Sequence, residues 1–112
     1  GRDECMLAFF ALGGRGVVGS TYNYAAPLYH ALIKAFDEGN LKEARKLQQK
    51  SIDMITLLDK YGGMATGKAY MKLIGLDCGN FRVPVKNMTD KMFGDFVKDV
   101  EHLGINHLFS RK

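Results

Sequence analysis

With 112 residues, 46% of them apolar and 25% charged, the chain is sized for one small globular unit, and its composition excludes disorder and low complexity. A formal net charge of +4 leaves room for an anionic partner, yet Lys and Arg alternate with Asp and Glu through Lys42–Lys46 and Lys91–Glu101. That is the pattern of solvated helix faces rather than of a phosphate-binding stripe, and it argues against a nucleic-acid partner.

Asp3 and Glu4 lead into the apolar run Cys5 to Leu12, followed by Gly13-Gly14. Acidic residues in front and glycines behind bracket a helix. The run is apolar on every side, which predicts enclosure by other protein. It is also far shorter than the roughly 20 residues that span a bilayer, so no membrane partner is expected. Gly16-Val17-Val18-Gly19-Ser20 then reads as a short buried strand, followed by the polar loop Thr21-Tyr22-Asn23. Helix, turn, strand, loop, helix is the rhythm of a parallel α/β sheet. One strand cannot pair its own backbone, so the sequence predicts a piece of a larger α/β protein that is predominantly helical by itself.

Pro27 suits the first turn of the next helix, where its missing N–H is not needed. Leu28, Ala31, Leu32, Ala35 and Phe36 form an amphipathic stripe ending near Gly39. Asn40, with Glu43 three residues on, caps a long helix whose inner face is Leu41, Ala44, Leu47 or Gln48, Ile52, Ile55, Leu58 and Tyr61. Gly62-Gly63 stops it. A shorter helix is expected from Thr66 to Ile74, an extended segment from Phe81 to Val85, and a last helix from the Thr89 cap to Gly104. Residues 1–38 read as the last βα units and residues 39–112 as a helical region, together one incomplete domain.

Chemistry in parallel α/β proteins sits where strands run into helices. Two such loops are present: Gly1-Arg2-Asp3-Glu4 and Gly19-Ser20-Thr21-Tyr22-Asn23. Gly19 lets a ligand approach the backbone, Ser20, Thr21 and Asn23 offer hydroxyl and amide partners, and Asp3 and Glu4 accept hydrogen bonds. Carboxylates beside small polar groups suit a polyhydroxylated ligand better than a phosphate. A helix-dipole role for Asp3 and Glu4, and turn chemistry for Ser20 to Asn23, account for the same residue types. Tyr22 and Tyr24 either line a site or pack against a neighbour. His30, His102 and His107 have no mutual ligand spacing, and no metal site is expected. Cys5 and Cys78 lack any ligand spacing and read as reduced, partly buried thiols. Lys34, Lys68 and Lys72 lie on helices, which argues against a buried nucleophile among them.

At these two loops the chain resembles the N-acetylneuraminate lyase family, within the larger dihydrodipicolinate-synthase-like class I aldolases. The resemblance rests on Gly1-x-Asp3-Glu4, the spacing to Gly13-Gly14-Arg15-Gly16, the run Gly19-Ser20-Thr21-Tyr22-Asn23, the Gly75 turn and Arg82-Val83-Pro84. It implies the C-terminal part of a (β/α)8 TIM barrel, the last strand with flanking helices, plus C-terminal helices, in a cytoplasmic homotetramer. The implied reaction is reversible cleavage of N-acetylneuraminate to N-acetylmannosamine and pyruvate. An imine forms on a lysine upstream of this chain, with a tyrosine also upstream and no metal or organic cofactor. By the same resemblance Gly1, Asp3, Glu4, Gly19 and Ser20 form the wall around the sugar's hydroxylated tail. The alternatives are a sister pyruvate-dependent aldolase and, from another class, a small helical interaction module.

Overall fold

In a computed structural model describing residues 1–111, every regular element is helical. A single 3-10 turn at Asp3–Cys5 runs into α1 (Met6–Ala11), followed by α2 (Tyr22–Asp37), α3 (Leu41–Tyr61), α4 (Met64–Leu73) and α5 (Asp90–Leu103), and a last 3-10 turn closes at Asn106–Leu108. α3 is the axis of the assembly: α1, α2, α4 and α5 all pack on it.

Local chemistry sets most of the boundaries. The Asn40 side chain accepts the Glu43 N–H at 3.1 Å and starts α3, and Thr89 accepts the Met92 N–H at 3.2 Å and starts α5. Gly62 and Gly104, at φ of 99° and 62°, end these two helices in the left-handed conformation that glycine adopts without penalty. α4 begins at Met64, two residues before the expected Thr66.

α2 is broken near its start. Ala25, at φ −129° and ψ 30°, leaves the helical region, so Pro27 falls in the first turn after the break, where a proline is tolerated. Backbone groups freed by the break are taken up from far along the chain. The Ser110 N–H donates to the Tyr24 carbonyl at 2.7 Å, and the Ala26 N–H donates to Ser110 Oγ at 3.3 Å.

The core away from α1 is a ring cluster. Tyr24 stacks on Tyr70 at 4.6 Å with 7° between planes, while Phe96 and Phe109 meet Tyr70 edge-on at 4.8 and 5.6 Å. The α3 face that points inward is Ala44, Leu47, Gln48, Ser51, Met54, Leu57 and Tyr61, rotated from the expected set.

Several expectations are overturned. An α/β fold with a TIM-barrel strand at Gly16–Ser20 is absent: among the described residues there is no strand. Strands are defined by the ladder they share, and among the described residues Gly16–Gly19 shares none, although Gly1 lies beside the Val18 carbonyl; Val18 is 86% exposed. The apolar run at α1 is covered on one side by the described residues. Met6 and Phe10 are buried, whereas Phe9 and Leu12 face outward, Leu12 at 89% exposure. Cys5 and Cys78 are exposed free thiols rather than partly buried ones. Among the described residues no helix is long and apolar enough to cross a membrane.

Candidate functional site

The 3-10 turn that opens the chain is pinned by α3. Gln48, buried on the α3 inner face, donates from Nε2 to the Asp3 carbonyl at 3.3 Å and accepts the Leu7 N–H on its Oε1 at 2.8 Å. One amide side chain thereby satisfies both a carbonyl of the turn and an N–H in the first turn of α1.

This anchoring places Asp3 in the interior, 6% exposed. Thr21, just before α2, donates to Asp3 Oδ2 at 2.6 Å. Thr21 Oγ1 is also 2.8 Å from the Tyr29 hydroxyl, which is in turn 2.8 Å from Ser51 Oγ on α3. Thr21 has one hydroxyl proton and gives it to Asp3, so in this line Tyr29 donates to Thr21 and Ser51 to Tyr29. Asp3 Oδ1, equally buried, makes no close hydrogen bond among the described residues, and neither does the buried Tyr24 hydroxyl. The Tyr22 hydroxyl nevertheless lies beside the Asp3 carboxylate, and burial first, then Asp3, push it above the ordinary tyrosine range. Gly19 is explained by the same carboxylate. A Cβ there would lie 2.1 Å from Asp3 Oδ1, so any side chain would displace it.

Glu4 follows at the rim, its side chain 29% exposed and paired with Arg2 Nη1 at 3.2 Å. The Ser20 carbonyl accepts from Asn23 Nδ2 at 3.1 Å, which is turn chemistry at the start of α2. Gly1, Asp3, Glu4 and Ser20 line one cavity of about 620 Å³, closed on the other side by Ile55 and Leu58 of α3 and Met64, Lys68 and Met71 of α4. Gly19 does not line it and lies behind Asp3 instead. Lys68, on the far rim, has its ammonium committed to the Cys78 and Asn80 carbonyls at 3.1 and 3.0 Å, 4.2 Å above the Phe81 ring. It holds the loop after α4 against the cavity.

Burial pushes the Tyr24 hydroxyl well above the ordinary tyrosine range, with Tyr29 and the Asp3 charge adding to the effect. Tyr29 and Tyr70 are raised for the same first reason. All three are neutral hydroxyls at physiological pH. The wall is therefore a set of hydrogen-bonding groups, acceptors at Asp3 and Glu4 and hydroxyls at Ser20 and Tyr24. Among the described residues, no three His, Cys, Asp or Glu side chains gather as a metal site.

The sequence pattern did not indicate Thr21's bond to Asp3, nor Tyr29 and Ser51; it offered Tyr24 as a site-lining residue and Gln48 as an inner-face residue, and both lie where it put them. Polar residues on the inward face of α3 were the one available signal, since Gln48 and Ser51 interrupt an otherwise apolar stripe.

The chain's helical arrangement is shared with known enzymes. The chain matches the dihydrodipicolinate synthetase family over residues 1–103, and it belongs to that family. It is 38% identical over 90 residues to the N-acetylneuraminate lyase of Rhizobium meliloti, covering 80% of this chain and 30% of that one. It is 31% identical over 105 residues to the 4-hydroxy-tetrahydrodipicolinate synthase of Acetivibrio thermocellus, covering 94% and 36%. Its structure superimposes on the Proteus mirabilis N-acetylneuraminate lyase with a TM-score of 0.85 and 40% identity, over 90% of this chain and 34% of that one. The chain thus spans about a third of the length of the curated relatives it matches.

Proposed function

We propose that this chain forms the sugar-tail wall of a carbon–carbon lyase that cleaves N-acetylneuraminate to N-acetylmannosamine and pyruvate. The observation that carries the reading is one cavity wall on which the Asp3 and Glu4 side chains stand beside Ser20. Carboxylates and a hydroxyl on one wall match a polyol chain, whose hydroxyls both donate and accept. The named lyases among the relatives support the same substrate.

In this reading the bond-breaking chemistry belongs to residues outside positions 1–112. A lysine there forms the imine with the keto carbon, a tyrosine moves the proton, and neither a metal nor an organic cofactor takes part. Gly1, Asp3, Glu4 and Ser20 select the sugar, Gly19 leaves room for the Asp3 carboxylate, and the working assembly is a cytoplasmic homotetramer. Pyruvate release from N-acetylneuraminate by the full-length protein, with borohydride trapping of the imine, tests this directly. A stoichiometric adduct on Lys34, Lys68 or Lys72 would overturn it.

Glu4→Gln tests the wall itself. It keeps the shape and removes a charged acceptor, so kcat/KM for N-acetylneuraminate should fall about tenfold or more, while a tail-truncated analogue is nearly unaffected. Equal losses on both substrates would mean that Glu4 only pairs with Arg2 and complements α1. The second reading, a synthase that condenses pyruvate with another aldehyde, is favoured by the longer match to the Acetivibrio enzyme. It requires turnover with that aldehyde and none with N-acetylneuraminate.

A further inference from the structure

Between α4 and α5 the chain passes from Gly75 to Thr89 without a regular element, yet the middle of this loop is firmly held. The Lys68 ammonium donates to the Cys78 and Asn80 carbonyls at 3.1 and 3.0 Å and stands 4.2 Å from the centre of the Phe81 ring. Asn87 grips the same stretch from the other side. Its Oδ1 accepts the Phe81 N–H at 2.7 Å, and its Nδ2 donates to the Phe81 carbonyl at 3.0 Å. Both peptide groups that flank Phe81 are therefore bonded, and its ring is held as well. A long loop ordinarily leaves such groups to water. Here the bonds converge on Phe81, which among the described residues is the one member of this loop that lines the cavity with Glu4 and Ser20.

We infer that Phe81 is a specificity-determining residue that bounds the substrate cavity on its apolar side, and that Lys68 is the positioning residue that holds it there. This rests on the sugar-tail reading of the cavity and extends it to the wall built by α3, α4 and the loop. A polyol has two kinds of surface, hydroxyls and C–H groups. With the hydroxyls turned to Glu4 and Ser20, the C–H groups meet Leu58, Met64, Met71 and Phe81. A methionine yields to a larger ligand by changing rotamer. A ring fixed through both neighbouring peptides and through a cation on its face yields far less. Phe81 therefore limits the size of the group that the tail carries on that side, and it does so by a clash that leaves hydroxyl recognition intact.

The experiment uses the full-length protein and two substrates: N-acetylneuraminate and an analogue with a benzamido group in place of its terminal hydroxyl. In Phe81→Ala the ratio of kcat/KM, analogue over parent, should rise about tenfold or more, while KM for the parent rises about fivefold and its kcat changes less than about twofold. Lys68→Met keeps the stem and removes the donors. Its crystal structure should show Phe81 displaced from the cavity, and the ratio should shift in the same direction by a smaller factor. Lys68→Arg, whose guanidinium donates to carbonyls and stacks on rings, should restore both the ring position and the ratio. If Lys68→Met does not fold, Lys68→Gln takes its place. An unchanged ratio in Phe81→Ala, an unmoved ring in the uncharged Lys68 variant, or a Lys68→Arg as altered as that variant would overturn the inference. If the wild-type protein does not cleave N-acetylneuraminate, the sugar-tail reading fails and the specificity role of Phe81 fails with it. The crystallographic comparison still decides whether Lys68 positions Phe81.

Discussion

Around Asp3 the interior is filled by a carboxylate, three hydroxyls and an amide side chain, whereas around Tyr70 it is filled by rings. Both regions are buried, and α2 and α3 contribute to each. At the Asp3 end, order comes from a few directional bonds of 2.6–2.8 Å, each of which needs the one before it. At the Tyr70 end, order comes from area, with Tyr24, Phe96 and Phe109 packed on three sides of one ring. The polar region therefore fixes a direction at small energetic gain, and the ring cluster supplies stability with little directional demand. Tyr24 belongs to both: its ring stacks in the cluster, and its hydroxyl feels the Asp3 charge.

Alkaline titration is the most severe way to test that division. Tyr24, Tyr29 and Tyr70 have folded-state pKa values raised above 10.0, mainly by burial. Their stabilising contribution is therefore complete below pH 10 and is lost as pH rises through the folded values. Unfolding should begin above about pH 10, with tyrosinate absorbance and loss of helical circular dichroism rising together. Tyrosinates appearing at the ordinary midpoint in a protein that stays folded would break the comparison, since it would mean that the hydroxyls are not enclosed.

Phe96→Ala comes next in size. The side chain is 0% exposed and edge-on to Tyr70, so truncation should lower stability by about 3–5 kcal/mol by calorimetry or denaturant titration. Substrate discrimination should survive in whatever fraction stays folded. Gly19→Ala has the opposite profile. Its Cβ would press on Asp3 Oδ1, costing about 1–3 kcal/mol through overpacking, yet it should abolish the preference for the full-length sugar by displacing the carboxylate. If Phe96→Ala changed selectivity and Gly19→Ala did not, the two regions would not be separable.

Helix ends were legible because their causes are local. Asn40, Thr89, Gly62 and Gly104 act within one turn of themselves, so position in sequence is position in space. The Gly16–Ser20 strand was misread because Val17-Val18 between glycines carries β character locally, while a ladder depends on a second segment that no local pattern reports. Burial at α3 shows the same limit. Ser51 and Gln48 face inward because Tyr29 and the turn at Asp3 need their hydrogen bonds, and apolar periodicity gives no credit to such positions. At the site, Asp3 and Glu4 could be singled out as acidic residues at a helix start. Thr21's grip on Asp3, across 18 positions, could not.

Ser110 gives the break in α2 a kinetic meaning. The bond between its side chain and Ala26 spans 84 residues, the longest reach among the side-chain hydrogen bonds of the described residues, and its N–H bonds the Tyr24 carbonyl just beside it. Loop closure on that scale is entropically unfavourable until the helices between have docked, so this clasp belongs to the end of folding rather than its beginning. Until it shuts, the freed backbone groups around Ala25 face water, and the start of α2 has no fixed path. Thr21 and Tyr24 lie on that stretch. The cavity wall therefore takes its final shape in the same late event that fastens the far end of the described chain.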